Sequence, residues 1–98
     1  MGSKNQIRLK VRVFATLRNM FGSDEMELRL SVTDTIRDLL EVLCDSSERR
    51  RELLDQSGNL RPYVKILKNG RNIDFLGGMD TRLADGDVLV IFPPVGGG

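Results

Sequence analysis

The sequence predicts a small α+β domain in which a mixed sheet of about five strands packs on one main helix. Two observations carry this prediction. Two segments in the N-terminal third alternate between apolar and polar residues, as strands do, and a segment that follows them has the periodicity of an amphipathic helix. The 98 residues suffice for one domain. Hydrophobic residues make up 40% and charged residues 30%, which is typical of a folded globular protein.

Two strands are predicted in the N-terminal third of the chain. In residues 6–14 apolar side chains alternate with mostly basic ones, and in residues 25–30 they alternate with mostly acidic ones. The turn residues at positions 22–24 separate the two segments, which favours an antiparallel pair. Residues 15–21 are predicted to form a short helical turn.

The main helix is predicted to begin after Thr35, which suits the N-cap position. Asp38 follows three residues later and places a carboxylate near the positive end of the helix dipole. The apolar stripe recurs at spacings of three and four, at Ile36, Leu39, Leu40 and Leu43. A shorter helical turn is predicted over residues 48–55.

Three further strands are predicted in the C-terminal half. Residues 63–68 follow Pro62 and end at Asn69-Gly70, a dipeptide that favours a type I′ turn, after which residues 71–74 pair back. The last strand covers residues 87–92 and is apolar on both faces, as a central strand is. Pro93 and Pro94 end it because neither can donate a ladder hydrogen bond.

Composition excludes several classes of function. Histidine is absent, which removes the commonest general base and metal ligand, so no metal site is expected. Fifteen basic residues against fourteen acidic ones give no bulk attraction to nucleic acid or to a membrane surface. A single cysteine and no secretory signal lead us to expect a cytoplasmic protein.

The C-terminal segment Phe92–Gly98 is the candidate functional element. A glycine-rich end is often a flexible linker, and composition alone leaves that interpretation open. However, this end leaves an apolar strand through a stiff Pro-Pro step, and its six residues reach about 20 Å at roughly 3.3 Å per residue. We therefore divide the chain into a domain at residues 4–92 and a flexible tail at residues 93–98.

Consecutive glycines fit a narrow channel, and Gly98 would present an unhindered terminal carboxylate. A carboxylate becomes a good electrophile once it is activated, for example as an acyl-adenylate. The chain would then be a substrate or carrier rather than an enzyme. Docking to the enzyme that acts on it also predicts an exposed apolar patch on the sheet face next to Phe92.

Residues 83–98, LADGDVLVIFPPVGGG, resemble the C-terminal signature of MoaD, the small sulfur-carrier subunit of molybdopterin synthase, which is related to ThiS and ubiquitin. Shorter stretches agree in the same order: VFATLR at 13–18, TIRDLL at 35–40 and LRPYV at 60–64. The resemblance covers roughly residues 7–98. It differs at Gly96, where the family often has a small residue other than glycine.

This resemblance implies a β-grasp, ubiquitin-like domain. It implies that Gly98 is adenylated by an E1-like enzyme of the MoeB or ThiF type, which uses ATP, and that a sulfur donor then converts it to a thiocarboxylate. The thiocarboxylate would supply sulfur for molybdopterin when the tail enters a large synthase subunit of the MoaE type. Phe92, Pro93, Pro94, Val95, Gly96 and Gly97 would position Gly98, and the chain itself would bind no cofactor.

The same activated glycine is also compatible with a ubiquitin-like modifier joined to lysines of target proteins, or with a sulfur carrier for thiamine synthesis or tRNA thiolation. A third hypothesis is a binding module without tail chemistry. Among other candidates, we interpret Cys44 as a small core or boundary residue rather than a nucleophile, the charged segment 48–52 as a solvated face, and Gly77-Gly78 as a turn.

Overall fold

The computed structural model describes residues 5–14, 19 and 21–92. The elements in chain order are β1 (Gln6–Val13), β2 (Glu25–Ser31), α1 (Ile36–Leu43), α2 (Ser47–Leu53), β3 (Lys65–Lys68), β4 (Arg71–Asn72) and β5 (Val88–Phe92). Two 3-10 helices, Ile73–Phe75 and Gly78–Asp80, lie between β4 and β5. The strands form one sheet in the order β2-β1-β5-β3-β4, which confirms the predicted class and sheet. The helical turn predicted over residues 15–21 falls largely outside the described residues.

The β1–β2 pair is antiparallel, as predicted, with Ile7 opposite Leu30 and Arg12 opposite Glu25. Alternation along β1 divides the sheet into two faces. The inner face carries Ile7, Leu9, Val11 and Val13, none more than 3% exposed. The outer face carries Arg8, Lys10 and Arg12, all exposed. The alternating pattern therefore directs the apolar half of β1 into the core.

Helix α1 lies against the inner face and buries its predicted stripe, Ile36, Leu39, Leu40 and Leu43. Asp38 closes the N-terminal cap, because its carboxylate accepts hydrogen bonds from the Thr35 backbone N–H at 2.8 Å and from the Thr35 hydroxyl at 3.1 Å. The second helix, α2, is a separate element of seven residues that buries Leu53. The sheet thus packs on one main helix, α1, and the shorter helix α2 follows α1 in the chain.

The β3–β4 turn has the predicted conformation, with positive φ at both Asn69 (52°) and Gly70 (87°). Both strands are shorter than predicted. Residues before Lys65 are in a turn closed by a hydrogen bond from the Val64 N–H to the Arg61 carbonyl at 3.0 Å. After β4 the chain leaves the sheet edge because Ile73, 1% exposed, enters the core and begins a 3-10 helix.

Strand β5 is central, as predicted, being parallel to β1 and antiparallel to β3. It begins at Val88 rather than at Asp87, a residue that is 6% exposed and whose side chain holds the preceding turn. The Asp87 carboxylate accepts hydrogen bonds from the Ala84 N–H and the Asn69 side-chain amide, both at 2.8 Å. The side-chain oxygen Oδ1 of Asn69 in turn accepts the Val88 N–H at 2.9 Å. These bonds fasten the β3–β4 turn to the start of β5.

None of the helices in the described part of the chain is both long enough and apolar enough to span a bilayer.

Candidate functional site: the C-terminal end of the central strand

Phe92 is the last residue of β5, and its side chain is 38% exposed. It lies opposite Lys65 of β3 in the sheet register, on the outer face. Leu89 and Ile91, which alternate with the outward residues, are completely buried on the inner face. The strand is therefore anchored by its inner side chains, while its final ring remains at the surface.

The Phe92 ring stacks on Phe14, with centroids 5.3 Å apart and ring planes 8° from parallel. The two rings meet because β1 and β5 are parallel neighbours with Val13 paired to Ile91, so both strands end at the same level. The Arg12 guanidinium lies 6.0 Å from the centroid of the Phe14 ring, within the range of a cation–π contact. This stack braces Phe92, the last residue of β5, against the end of β1.

Further apolar side chains extend the stack along the outer face. Leu67 and Val90 are half-buried and lie opposite each other, and Val88 lies two residues before Val90. We call this surface the tail-base patch: Phe14, Leu67, Val88, Val90 and Phe92. It confirms the prediction of an exposed apolar patch next to Phe92 and is surrounded by charged side chains of β1 and β3.

Apart from Phe92, sequence reasoning did not identify the members of the patch. A signal for Phe14 was present, because it falls on the otherwise basic face of β1 in the alternating pattern, after Arg8, Lys10 and Arg12. An aromatic side chain in a row of exposed charged residues indicates a surface that packs against another group. No local pattern could have paired it with Phe92.

Of the predicted site residues, the structure places Phe92. Pro93, Pro94, Val95, Gly96, Gly97 and Gly98 lie outside the described residues, so their roles stay predictions. The division between a domain at residues 4–92 and a tail at residues 93–98 also stays a prediction.

Cys44 is a core residue, as interpreted from the sequence. Its side chain is 4% exposed at the end of α1. Burial raises the pKa of its thiol from the ordinary 9.0 to about 11, so the thiolate is scarce at neutral pH. A buried and protonated thiol does not suit a nucleophile.

The charged segment on α2 pairs with neighbouring acids. Arg50 donates to both oxygens of Glu41, at 3.0 and 3.4 Å, and Arg49 donates to Asp45 at 3.0 Å. These pairs support a solvated face rather than a phosphate site. Gly77 lies between the two 3-10 helices, and its N–H donates to the Thr81 hydroxyl at 2.9 Å, which supports the predicted turn.

The sequence model of the ThiS family matches residues 11–98. Small archaeal modifier protein 3 of Haloferax volcanii is 38% identical over 92 residues, which are 94% of this chain and 100% of that protein. The sulfur carrier protein CysO of Mycobacterium tuberculosis is 42% identical over 65 residues, which are 64% of this chain and 67% of CysO.

Solved structures are similar over nearly the whole chain. A solution structure of a Haloferax volcanii protein matches with a TM-score of 0.82 and 37% identity, over 96% of this chain and 89% of that one. A Pyrococcus furiosus protein assigned as subunit 1 of the molybdopterin converting factor matches with a TM-score of 0.69 and 34% identity, over 91% and 99%. The β-grasp, ubiquitin-like fold implied by the sequence resemblance is confirmed.

Proposed function

Since this chain belongs to the ThiS family of ubiquitin-like sulfur carriers and modifiers, we propose that it carries sulfur on the carboxyl group of Gly98. We further propose that the sulfur is delivered to molybdopterin, with this chain as the small subunit of the synthase. In this proposal the chain is a carrier, and the catalytic residues belong to its partners.

The observation that carries the proposal is the position of Phe92. It ends a central strand at the surface and stacks on Phe14 within the tail-base patch. Residues 93–98 follow directly, and six residues span at most about 20 Å. An enzyme that covers the tail-base patch is therefore within reach of Gly98.

The chemistry begins with activation of the Gly98 carboxylate. One carboxylate oxygen attacks the α-phosphorus of ATP, the bond to pyrophosphate breaks, and an acyl-adenylate forms. A sulfide equivalent from the sulfur donor then attacks the carbonyl carbon and displaces AMP, which leaves a thiocarboxylate. Gly96 and Gly97 have no side chains and would let the tail enter a narrow channel, while Pro93, Pro94 and Val95 would guide it.

Three partners follow from this chemistry: an E1-like adenylyltransferase of the MoeB or ThiF type, a sulfur donor, and a large synthase subunit of the MoaE type. The likeness to the Pyrococcus furiosus protein supports the last of these. We expect this chain to bind these partners in the cytoplasm, where ATP is supplied. A net charge of +1 offers little long-range attraction, so recognition would depend on burial of the tail-base patch.

Mass spectrometry tests the proposal. The chain is incubated with ATP, a sulfur donor and the E1-like adenylyltransferase encoded in the same genome. We expect a mass increase that corresponds to replacement of one oxygen by sulfur, located at Gly98 by fragmentation. The matched control lacks Gly98 and should not change. An unchanged mass of the full chain, with an enzyme that activates its other substrates, would count against the proposal.

A second candidate function is favoured by the likeness to small archaeal modifier protein 3 over 94% of this chain. As a modifier, the chain would be attacked at the Gly98 carbonyl carbon of its acyl-adenylate by a lysine amine, which displaces AMP, loses a proton and forms an isopeptide bond. Immunoblots would then show high-mass conjugates that disappear when Gly98 is deleted. Co-purification with a MoaE-type subunit, without conjugates, would favour the molybdopterin carrier over the modifier and over carriers for thiamine or tRNA thiolation.

A further inference from the structure

Phe75 is the most exposed large apolar side chain of the described residues, at 86%. Leu76, next to it, is 40% exposed. Single apolar residues on a surface are ordinary, but an adjacent pair with a nearly free aromatic ring has the composition of a protein contact. The proposed chemistry at Gly98 does not use this pair.

The backbone around Phe75 is held by hydrogen bonds on both sides. Before it, the Asn72 side chain accepts the Asp74 N–H at 2.8 Å. After it, the Leu76 N–H donates to the Ile73 carbonyl at 2.9 Å, and Ile73 itself is 1% exposed in the core. The ring is therefore presented on a rigid turn, which reduces the entropy lost when it binds.

A second set of bonds fixes the far side of the same turn. The Thr81 hydroxyl accepts the Gly77 N–H at 2.9 Å and donates to the Gly78 carbonyl at 2.7 Å. Thr81 is 8% exposed, so these bonds are sheltered from water. The turn that exposes Phe75 is therefore held by the nearly buried Thr81 side chain as well as by the buried Ile73.

Phe75 lies at the same end of the sheet as Phe92. Lys65 is opposite Phe92 in the β3–β5 register, and its ammonium is 4.0 Å from the Asp74 carboxylate. One strand therefore separates Phe92 from the Phe75 turn, a distance of roughly 10 Å at two strand spacings. A tail that reaches about 20 Å places any enzyme acting on Gly98 within range of both surfaces.

We propose that Phe75 and Leu76 form a second contact for the enzyme that adenylates Gly98, with the Phe75 ring entering an apolar pocket of that enzyme. This inference rests on the proposed function. Adenylation is the step that the sulfur carrier and the modifier share, so the activating enzyme is the partner that both require. The opposite charges of Lys65 and Asp74 cancel beside the turn. The enzyme would therefore recognise the turn by burying its apolar side chains rather than by charge.

The test is ATP–pyrophosphate exchange by the E1-like adenylyltransferase of the same genome, measured against the concentration of this chain. Phe75→Ala should raise KM about tenfold and leave kcat unchanged, because it removes binding made equally before and during the reaction. Phe75→Leu should restore part of the affinity. Val42→Ala is the matched control, since Val42 is 49% exposed on α1, which packs on the inner face of the sheet, opposite the tail-base patch.

The Phe75 side chain is mostly exposed to solvent and contributes little to stability. Phe75→Ala should therefore unfold at the same thermal midpoint as the wild-type chain. An unchanged KM for Phe75→Ala, or an equal rise for Val42→Ala, overturns the inference. The inference is also overturned if Phe75→Ala lowers activity only in the later step, in which sulfur passes from the thiocarboxylate to its acceptor. A wild-type chain that supports no exchange overturns the proposed function as well, whereas normal wild-type exchange with an unaffected Phe75→Ala overturns this inference alone.

Discussion

The rings of Phe14 and Phe92 stack with centroids 5.3 Å apart, although 77 residues separate them in the chain. Phe14 directly follows β1 and Phe92 ends β5, and these two strands are parallel neighbours in the sheet. Each ring is more than a third exposed, so the stack is also a surface. The same contact can therefore brace the start of the tail and bind a partner.

Replacing Phe14 by alanine should weaken both roles. A stacked aromatic pair contributes roughly 0.5–1.5 kcal/mol beyond area burial, so we expect a loss of about 1 kcal/mol in the free energy of unfolding. The KM for activation of Gly98 should rise as well, because the tail-base patch loses a ring. Urea unfolding and pyrophosphate exchange measure the two effects.

Val32→Ala serves as the control for this substitution, because Val32 is 43% exposed in the turn after β2 and lies outside the patch. It should leave KM unchanged. A Phe14→Ala chain with wild-type stability and wild-type KM would show that the stack has neither role.

Asp87→Ala should destabilise the fold. The substitution removes a nearly buried carboxylate and leaves the Ala84 N–H and the Asn69 side-chain amide without their acceptor. We expect a loss of about 2–4 kcal/mol, the range for a broken buried hydrogen-bond network. The measurement is the midpoint and slope of urea unfolding.

Asp74→Ala provides the comparison, since that carboxylate is exposed and lies 4.0 Å from Lys65. An exposed pair of this kind contributes about 0–1 kcal/mol. Similar midpoints for Asp87→Ala and Asp74→Ala would mean that the buried bonds of Asp87 add nothing to stability.

The pH dependence of stability should report the burial of Cys44. The folded chain holds the thiol proton up to a pKa of about 11, above the ordinary 9.0, so the folded state binds that proton more tightly than the unfolded state. The resulting stabilisation is fully present below pH 9 and is lost as the pH rises towards 11. Wild-type protein should therefore lose more stability across this range than Cys44→Ala does.

Urea unfolding at both ends of that range provides the comparison, and other titrating groups cancel because both chains share them. Parallel pH profiles for the two chains would show that the Cys44 thiol titrates normally. Cys44→Ala should also still receive sulfur at Gly98, since the thiol is buried in the core.

Much of the fold was predictable because its signals are local. Alternation in β1 and β2, the stripe of α1 and the Asn69-Gly70 turn each depend on neighbouring residues, and the structure has all of them. The extent of β4 was not predictable, because it depends on where Ile73 finds space in the core. The Asp87–Asn69 bonds were missed for a similar reason, since they join residues 18 positions apart.

The candidate site divides in the same way. Phe92 and an apolar surface beside it were predicted from the strand pattern and the tail. The contribution of Phe14 depends on the parallel pairing of β1 with β5, which no neighbouring residues encode. The exposure of Phe75 likewise depends on burial of the neighbouring Ile73 in the core, which no neighbouring residues encode.

The most direct measurement compares the wild-type chain with a chain that has one alanine added after Gly98. Both are incubated with ATP, the sulfur donor and the E1-like adenylyltransferase, and their intact masses are recorded. We predict the mass of a thiocarboxylate on the wild-type chain and an unchanged mass on the extended chain, because the added residue moves the carboxylate and spoils its fit. Equal conversion of both chains, or conversion of neither, would contradict the assignment of Gly98 as the site that carries sulfur.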